Sequence, residues 1–493
     1  MHPKREPRLS VAYGTTEARV LDPTNAVAVD GVSARSTIYS STTLLISKSV
    51  DFDDAFRRVS KVAKSLNWRA EVEPEPEHAR DLRFGVRRIR LGVVPGKAVA
   101  APDAWTLLQF LRADGVDGAR GVSLEHVLIP VPHNDPHPHN DPHPHNDPHP
   151  RSGYDPLGTG GRQPVAYVGA PPSRRTDEQI GGRTRPVVAV LDTGCGQHPW
   201  LGFVERDVRL GEHRIGWSPD VPNSEVDGDL VGPLDGLIDP MAGHGTFITG
   251  LIHQACPDAD IYAWRIVPPE GPVAEFGWLT ALAQIAELVH LYRQGDPRGR
   301  RIDVLSLSIG YYHETPEDAL FDPMLSEILA DLSANGTLVV CSAGNDATSR
   351  PNFPAAFAPW INGDCPVSTT GDGLPIVSVG ALNPNGTDAI FSNAGPWVRA
   401  FELGVGVVST FPTAFDGGYQ ATIATEYDER QRETLDPDDF GGGFGTWSGT
   451  SFAAPLLAGR IAQHLLDNGE AGDLERDVDR AWAAVEDLTT LKQ

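Results

Sequence analysis

Four short segments carry residue types that do covalent chemistry. Val188-Ala189-Val190-Leu191-Asp192-Thr193-Gly194 puts a carboxylate at the end of an apolar run. Such a placement is costly unless the carboxylate is hydrogen-bonded or in use. Gly243-His244-Gly245-Thr246 sets a histidine between two glycines, with room for partners on both sides, ahead of an apolar stretch that predicts a helix. Ser342-Ala343-Gly344-Asn345 ends another apolar run, and an asparagine amide held there can donate to a developing oxyanion. Gly449-Thr450-Ser451-Phe452-Ala453-Ala454-Pro455 places Ser451 at a helix start, among free N–H groups and partial positive charge. Each segment alone has an ordinary reading as well. Asp192 serves as a loop cap, His244 as a passive histidine, Asn345 as a turn residue and Ser451 as an N-cap. His253 and His290 are read as passive. Aspartic proteases also use DTG, but they need two such carboxylates, and this chain has one. The setting of Ser451 is not G-x-S-x-G, so the α/β-hydrolase elbow is not supported.

The elements around these segments show a single pattern after residue 150. Short apolar strands are predicted at Val187–Leu191, Ile261–Val267, Val304–Ile309, Leu338–Cys341 and Ile376–Val379. Helices are predicted at about 276–293, 316–334 and 451–466, the second with Thr315 and Asp318 as a capping box. Wholly apolar strands alternating with helices predict an α/β fold, a parallel sheet covered on both faces. Functional groups of such sheets gather at the carboxyl ends of the strands, and the four segments each fall at a strand end or a helix start of this one sheet.

Taken together, in the order Asp, His, Asn, Ser, the segments resemble those of the subtilisin-like serine proteases (subtilases, peptidase family S8). Gly449–Pro455 is the most specific match, and the resemblance covers roughly 185–470. It implies a subtilisin-like fold and a serine endopeptidase. Asp192 would orient the imidazole, His244 would take and return the proton, and Ser451 would attack the peptide carbonyl. Asn345 and the Ser451 N–H would hold the oxyanion. Ser306, Leu307, Ser308, Gly310, Ser342, Ala343 and Gly344 would line a cleft that binds an extended peptide by strand addition. Phe247 departs from the family, which often has a second histidine there. So do 401–406, which lack Ala-Pro-Gly, and an acidic, glycine-rich insertion at 411–445, which either shapes access or loops out. No cofactor is required by this chemistry. Structural calcium is common in the family, but no loop here has a clear ligand spacing, and no catalytic metal is expected. A non-catalytic scaffold on the same fold is the competing class.

Residues 42–129 predict a separate unit. Asp51 caps a helix with Phe52, Ala55, Phe56, Val59, Ala63 and Leu66 on one face, and strands and a second helix follow in the order β-α-β-β-α-β. This is the ferredoxin-like order that many subtilases carry as a prodomain. The expected organisation is an irregular extension at 1–35, a ferredoxin-like α+β domain at 36–132, a linker at 133–150 and the peptidase domain at 151–493. The linker repeats HNDPHP three times, and its prolines forbid helix and sheet. It is read as a spacer, with metal binding by its six histidines as the alternative.

Charge bears on the relation between the two units. The chain has a net charge of −25, which argues against nucleic acid as the main partner. Residues 1–132 hold 19 basic and 16 acidic side chains, a net of +3, and the remainder is at −28. Opposite balances would draw the units together, and equally an acidic surface keeps a large domain soluble. An intramolecular N-terminal partner is therefore expected beside peptide or protein substrates, either as a prodomain or as a retained regulatory domain. Four scattered cysteines suit a reduced compartment, and neither a membrane span nor a secretory leader is visible. The reading places the protein in the cytoplasm.

Overall fold

In the computed structural model, the residues described are 18–29, 32–97, 100–113, 116–130, 161–217, 221–230, 236–269, 271–315, 324–361 and 373–492. The HNDPHP repeat and the segment expected to carry the Thr315–Asp318 capping box lie outside them or run out of them.

The first unit holds β1 (Ala18–Val20), β2 (Ile38–Ser47), α1 (Phe52–Ser65), β3 (Trp68–Val72), β4 (Val86–Val93), α2 (Ala104–Ala113) and β5 (Val122–Pro130). Asp51 caps α1 by accepting from Asp54 N, and Asp103 holds the start of α2 by accepting from Thr106 N. The strands lie in the order β5-β2-β4-β3, all antiparallel. Their inner face and the two helices close on Leu44, Ile46, Val59, Ile89, Trp105 and Leu124. The opposite face meets the second unit through Leu45, Val86 and Leu128. Residues 18–29 are more ordered than the expected irregular extension. β1 pairs with β2, and Trp105 Nε1 donates to Val27 O. Three residues are too few for a period to show in sequence.

The second unit holds β6 (Val187–Asp192), α3 (His244–Ala255), β7 (Asp260–Arg265), β8 (Val273–Ala274), α4 (Glu275–Arg293), β9 (Val304–Leu307), β10 (Ile309–Gly310) and α5 (Met324–Ala334). It continues with β11 (Leu338–Ser342), β12 (Ile376–Leu382), β13 (Ala400–Leu403), β14 (Val407–Thr410), β15 (Ala424–Tyr427), β16 (Arg430–Glu433), β17 (Phe444–Trp447), α6 (Thr450–Asp467) and α7 (Leu474–Leu488). Six strands form a parallel sheet in the order β7-β6-β9-β11-β12-β13. One core covers each face of it. Parallel strands buried on both faces have no polar alternation, as the apolar runs required. The insertion at 411–445 carries an exposed hairpin, β15 and β16.

The two units share strands. β5 lies between β8, which pairs with Val127 and Leu128, and β10, which pairs with Ile129 and Pro130, antiparallel to both.

Candidate active site

β6, β9 and β11 are neighbours in the sheet, so their carboxyl ends bring Asp192, Ser308 and Ser342 to one edge. Asp192 is 1% exposed. Its Oδ1 accepts from Thr193 N at 2.8 Å and from His244 Nδ1 at 2.7 Å. That contact places a ring proton on Nδ1 and leaves Nε2 to act as a base. His244 is the first residue of α3, and its ring packs against Trp447 and Phe452 at centroid distances of 5.6 and 5.3 Å. Phe247 joins the same cluster with Phe411, Trp447 and Phe452. The departure at Phe247 thus fills space behind the imidazole. Gly245 is required by close approach, because a Cβ there would sit 2.0 Å from Gly194 O.

Ser451 is the second residue of α6 and is not its N-cap. Gly449 enters the helix in an extended conformation, with no side-chain cap. Ser308 Oγ donates to Ser451 O at 2.9 Å, fixing the turn from the neighbouring strand end. Asn345 Oδ1 accepts from Thr450 N at 2.9 Å and from Thr450 Oγ1 at 2.7 Å. The amide is thereby oriented with Nδ2 as its donor end, facing the Gly449 turn. Gly344 holds the preceding bend at φ +103°, with Asn352 and Asn393 filling the space a side chain would need.

The predicted residues do not all meet. Among the described residues, His244 Nε2 makes no hydrogen bond, including to Ser451. Catalytic hydrogen bonds of this kind tighten when substrate binds. Leu307 and Ala343 are fully buried in the core that also holds α4 and α5, so only their backbones can meet a peptide. Gly310 is on β10 and is already paired with Ile129 of β5. Cys195, Cys256 and Cys341 are free and buried, and burial pushes their thiols up, to about 11 and about 12 for the first two. That suits packing rather than reactivity.

Sequence reasoning missed two groups. One is Glu225, buried beside Asp192 and His244. The other spans the two units. His126 of β5 reaches Glu275 Oε2 through Nδ1 at 2.7 Å and Glu314 Oε2 through Nε2 at 2.8 Å. Burial disfavours its charge, but the two carboxylates outweigh burial and raise it to about 10. Arg112 stands 3.3 Å from Glu314. Burial drives the adjacent His313 down to about 3, so it stays neutral. His126, His313 and Glu314 have a spacing compatible with a metal ion, the one such group among the described residues. The charges of His126 and Arg112 already balance Glu275 and Glu314 there. Neither group shows in the sequence, since Glu225 is in a loop and the His126 partners come from distant segments.

The model of the subtilase family matches residues 183–477. The chain belongs to the subtilase family. It is accordingly a serine endopeptidase by class, and the Asp-His-Ser mechanism is general to that family. An intracellular serine protease of Paenibacillus polymyxa is 26% identical over 59% of this subtilase and 69% of its own length. The major intracellular serine protease of Bacillus subtilis (strain 168) is 23% identical over 56% of this chain and 66% of its own. Subtilisin BL of Lederbergia lenta is 25% identical over 56% and 74%. All three matches leave a large part of this subtilase without a counterpart.

Proposed function

We propose that Asp192, His244 and Ser451 are the triad of this peptidase, that Asn345 is its oxyanion donor, and that residues 36–132 restrain it. In this reading Asp192 holds the imidazole, and His244 Nε2 takes the Ser451 proton as Oγ attacks the peptide carbonyl. The oxyanion is held by Asn345 Nδ2 and the Ser451 N–H, His244 returns the proton to the departing amine as the C–N bond breaks, and water, deprotonated by the same imidazole, hydrolyses the acyl-enzyme and frees Ser451. No cofactor enters these steps. Ser306, Leu307, Ser308, Gly310, Ser342, Ala343 and Gly344 form the wall of the cleft, and an extended peptide adds to β10 by main-chain bonds. The observation that carries the triad is the 2.7 Å contact of Asp192 with His244 at the carboxyl edge of the sheet.

The first unit is read as a ferredoxin-like domain, supported by its strand order β5-β2-β4-β3. Its restraint is supported by β5, whose end takes both strand edges, β8 and β10, that a peptide would need. Cations of the first unit face anions of the second. Arg83 grips Asp331 with both nitrogens, at 2.8 and 2.9 Å, and reaches Glu287 at 2.6 Å. The names of two relatives, both intracellular serine proteases, support action inside the cell as the working assignment. The test is to incubate the purified chain beside Ser451→Ala and sequence new N-termini by mass spectrometry. New termini in both chains would exclude self-processing, and loss of fluorophosphonate labelling in neither would exclude Ser451.

A further inference from the structure

Glu225 lies in the loop between the elements that carry Asp192 and His244, and the steps above do not use it. Its side chain is buried. Oε1 accepts from Thr193 Oγ1 at 2.5 Å and from Gly243 N at 3.1 Å. Oε2 accepts from Thr246 Oγ1. Both hydroxyls accept a backbone N–H in turn: Thr193 Oγ1 from Gly245 N and Thr246 Oγ1 from Gly196 N, each at 2.7 Å. A hydroxyl has one proton: that of Thr246 goes to Glu225, and that of Thr193 faces Glu225 at the shorter distance and Asp192 Oδ1 at 3.3 Å. Gly243 N and the two hydroxyls thus face the carboxylate as donors, a setting that favours its ionised form. Thr193 follows Asp192, Gly243 precedes His244, and Thr246 sits two residues after it.

We propose that Glu225 is a positioning residue of the peptidase: its buried carboxylate ties the Asp192 strand end to the His244 helix start and keeps a negative charge beside that pair. The inference rests on the triad assignment. A protonated Glu225 keeps a hydroxyl contact only by donating to a threonine oxygen and turning that hydroxyl away, as Thr193 can toward Asp192 Oδ1, and it accepts one bond fewer, so the tie loosens on the acid side. The groups facing it are Asp192 and His244, with Cys195 and Arg265 beside the same turn. Burial pushes Glu225 up from 4.5 to about 7, against the pull of the Thr193 and Thr246 hydroxyls, and Asp192 adds to the rise. Catalysis and stability therefore respond oppositely. A raised carboxylate contributes stability below its unfolded value of 4.5, and that contribution is lost as pH climbs to about 7. The tie that catalysis needs forms over the same interval.

The experiment compares wild type with Glu225→Gln in the full chain, reading peptide-amide kinetics, fluorophosphonate labelling of Ser451 and thermal midpoint across about pH 5 to 9. Glu225→Gln is expected to lower kcat by about 10- to 10²-fold, as a misplaced catalytic pair does, with KM little changed. The acid limb of the wild-type rate should be steeper than one proton and become a one-proton limb in the variant. The fall of the wild-type midpoint between about pH 4.5 and 7 should flatten. Wild-type kcat in the variant, or a loss that only tracks the unfolded fraction with an unchanged pH profile, would overturn the inference. Where Glu225→Gln does not fold, Thr246→Val removes one donor: a several-fold loss in kcat supports the tie, and an unchanged kcat removes it. Failure of wild type to label at Ser451 strikes the triad itself, whereas equal labelling of wild type and Glu225→Gln strikes only Glu225.

Discussion

Ser451→Ala is expected to abolish peptide hydrolysis and leave the fold intact. The N-cap of the helix is Gly449 and not Ser451, and alanine is the best helix former for the second position of α6. The check is a thermal midpoint within a few degrees of wild type beside an activity assay. Retained turnover would reject the nucleophile. Asn345→Ala should lower kcat by about 10²–10³-fold with far less change in KM, since the donor meets the oxygen fully only once it is charged. That range comes from subtilisin itself, a relative, and is borrowed. The substitution also frees Thr450 N and Oγ1 from their acceptor, so a part of the loss will appear as lower stability. An unchanged kcat would refute the role.

At the scale of elements, β5 is the piece that matters, because it belongs to one sheet and is held by the other unit on both edges. His126 is its buried anchor. A histidine raised from 6.5 to about 10 contributes its full attraction below about pH 6.5, and loses it as pH rises through about 10. The lowered Glu314 titrates only in strong acid and does not interfere in that window. Association of the first unit with the peptidase should therefore weaken on the alkaline side. His126→Phe should weaken it at every pH and abolish the alkaline dependence, because Glu275 and Glu314 are left buried with one cation fewer. Titrating the isolated first unit against the peptidase from neutral to alkaline pH, with inhibition as readout, checks this. Equal inhibition at both ends would refute it.

At the scale of the whole molecule, the charge difference between the first 132 residues and the remainder finds expression in Arg83, whose carboxylate partners are both on the acidic unit. These pairs are partly exposed, so salt screens them, with a Debye length of about 8 Å at 0.15 M. Adding the first unit in trans should inhibit the peptidase, and inhibition should weaken with salt, chiefly through a slower association. Arg83→Ala should reduce the salt dependence and leave the residual, apolar part of the affinity from Leu45, Val86 and Leu128. A first unit that neither inhibits nor assists folding at micromolar concentration would reject the restraint.

What the sequence by itself determined was local. Apolar runs of strand length marked β6, β7, β9 and β11 within a residue or two at their ends, and β12 three residues short, because strands buried on both faces must be apolar throughout. Asp192, His244, Asn345 and Ser451 stood out because small residues beside them mark tight strand ends and helix starts. The helix expected from 316 is described only from Met324, and Ser451 falls one place inside its helix, since capping depends on the entry conformation of Gly449 and not on residue type. Tertiary structure alone decided that Glu225, in a loop without period, closes on Thr193, Gly243 and Thr246, and that His126 meets carboxylates 149 and 188 residues away. Such contacts are fixed by how the sheet edges and helix starts come together, and burial and the facing charges together then set their protonation. No short window of sequence carries that information.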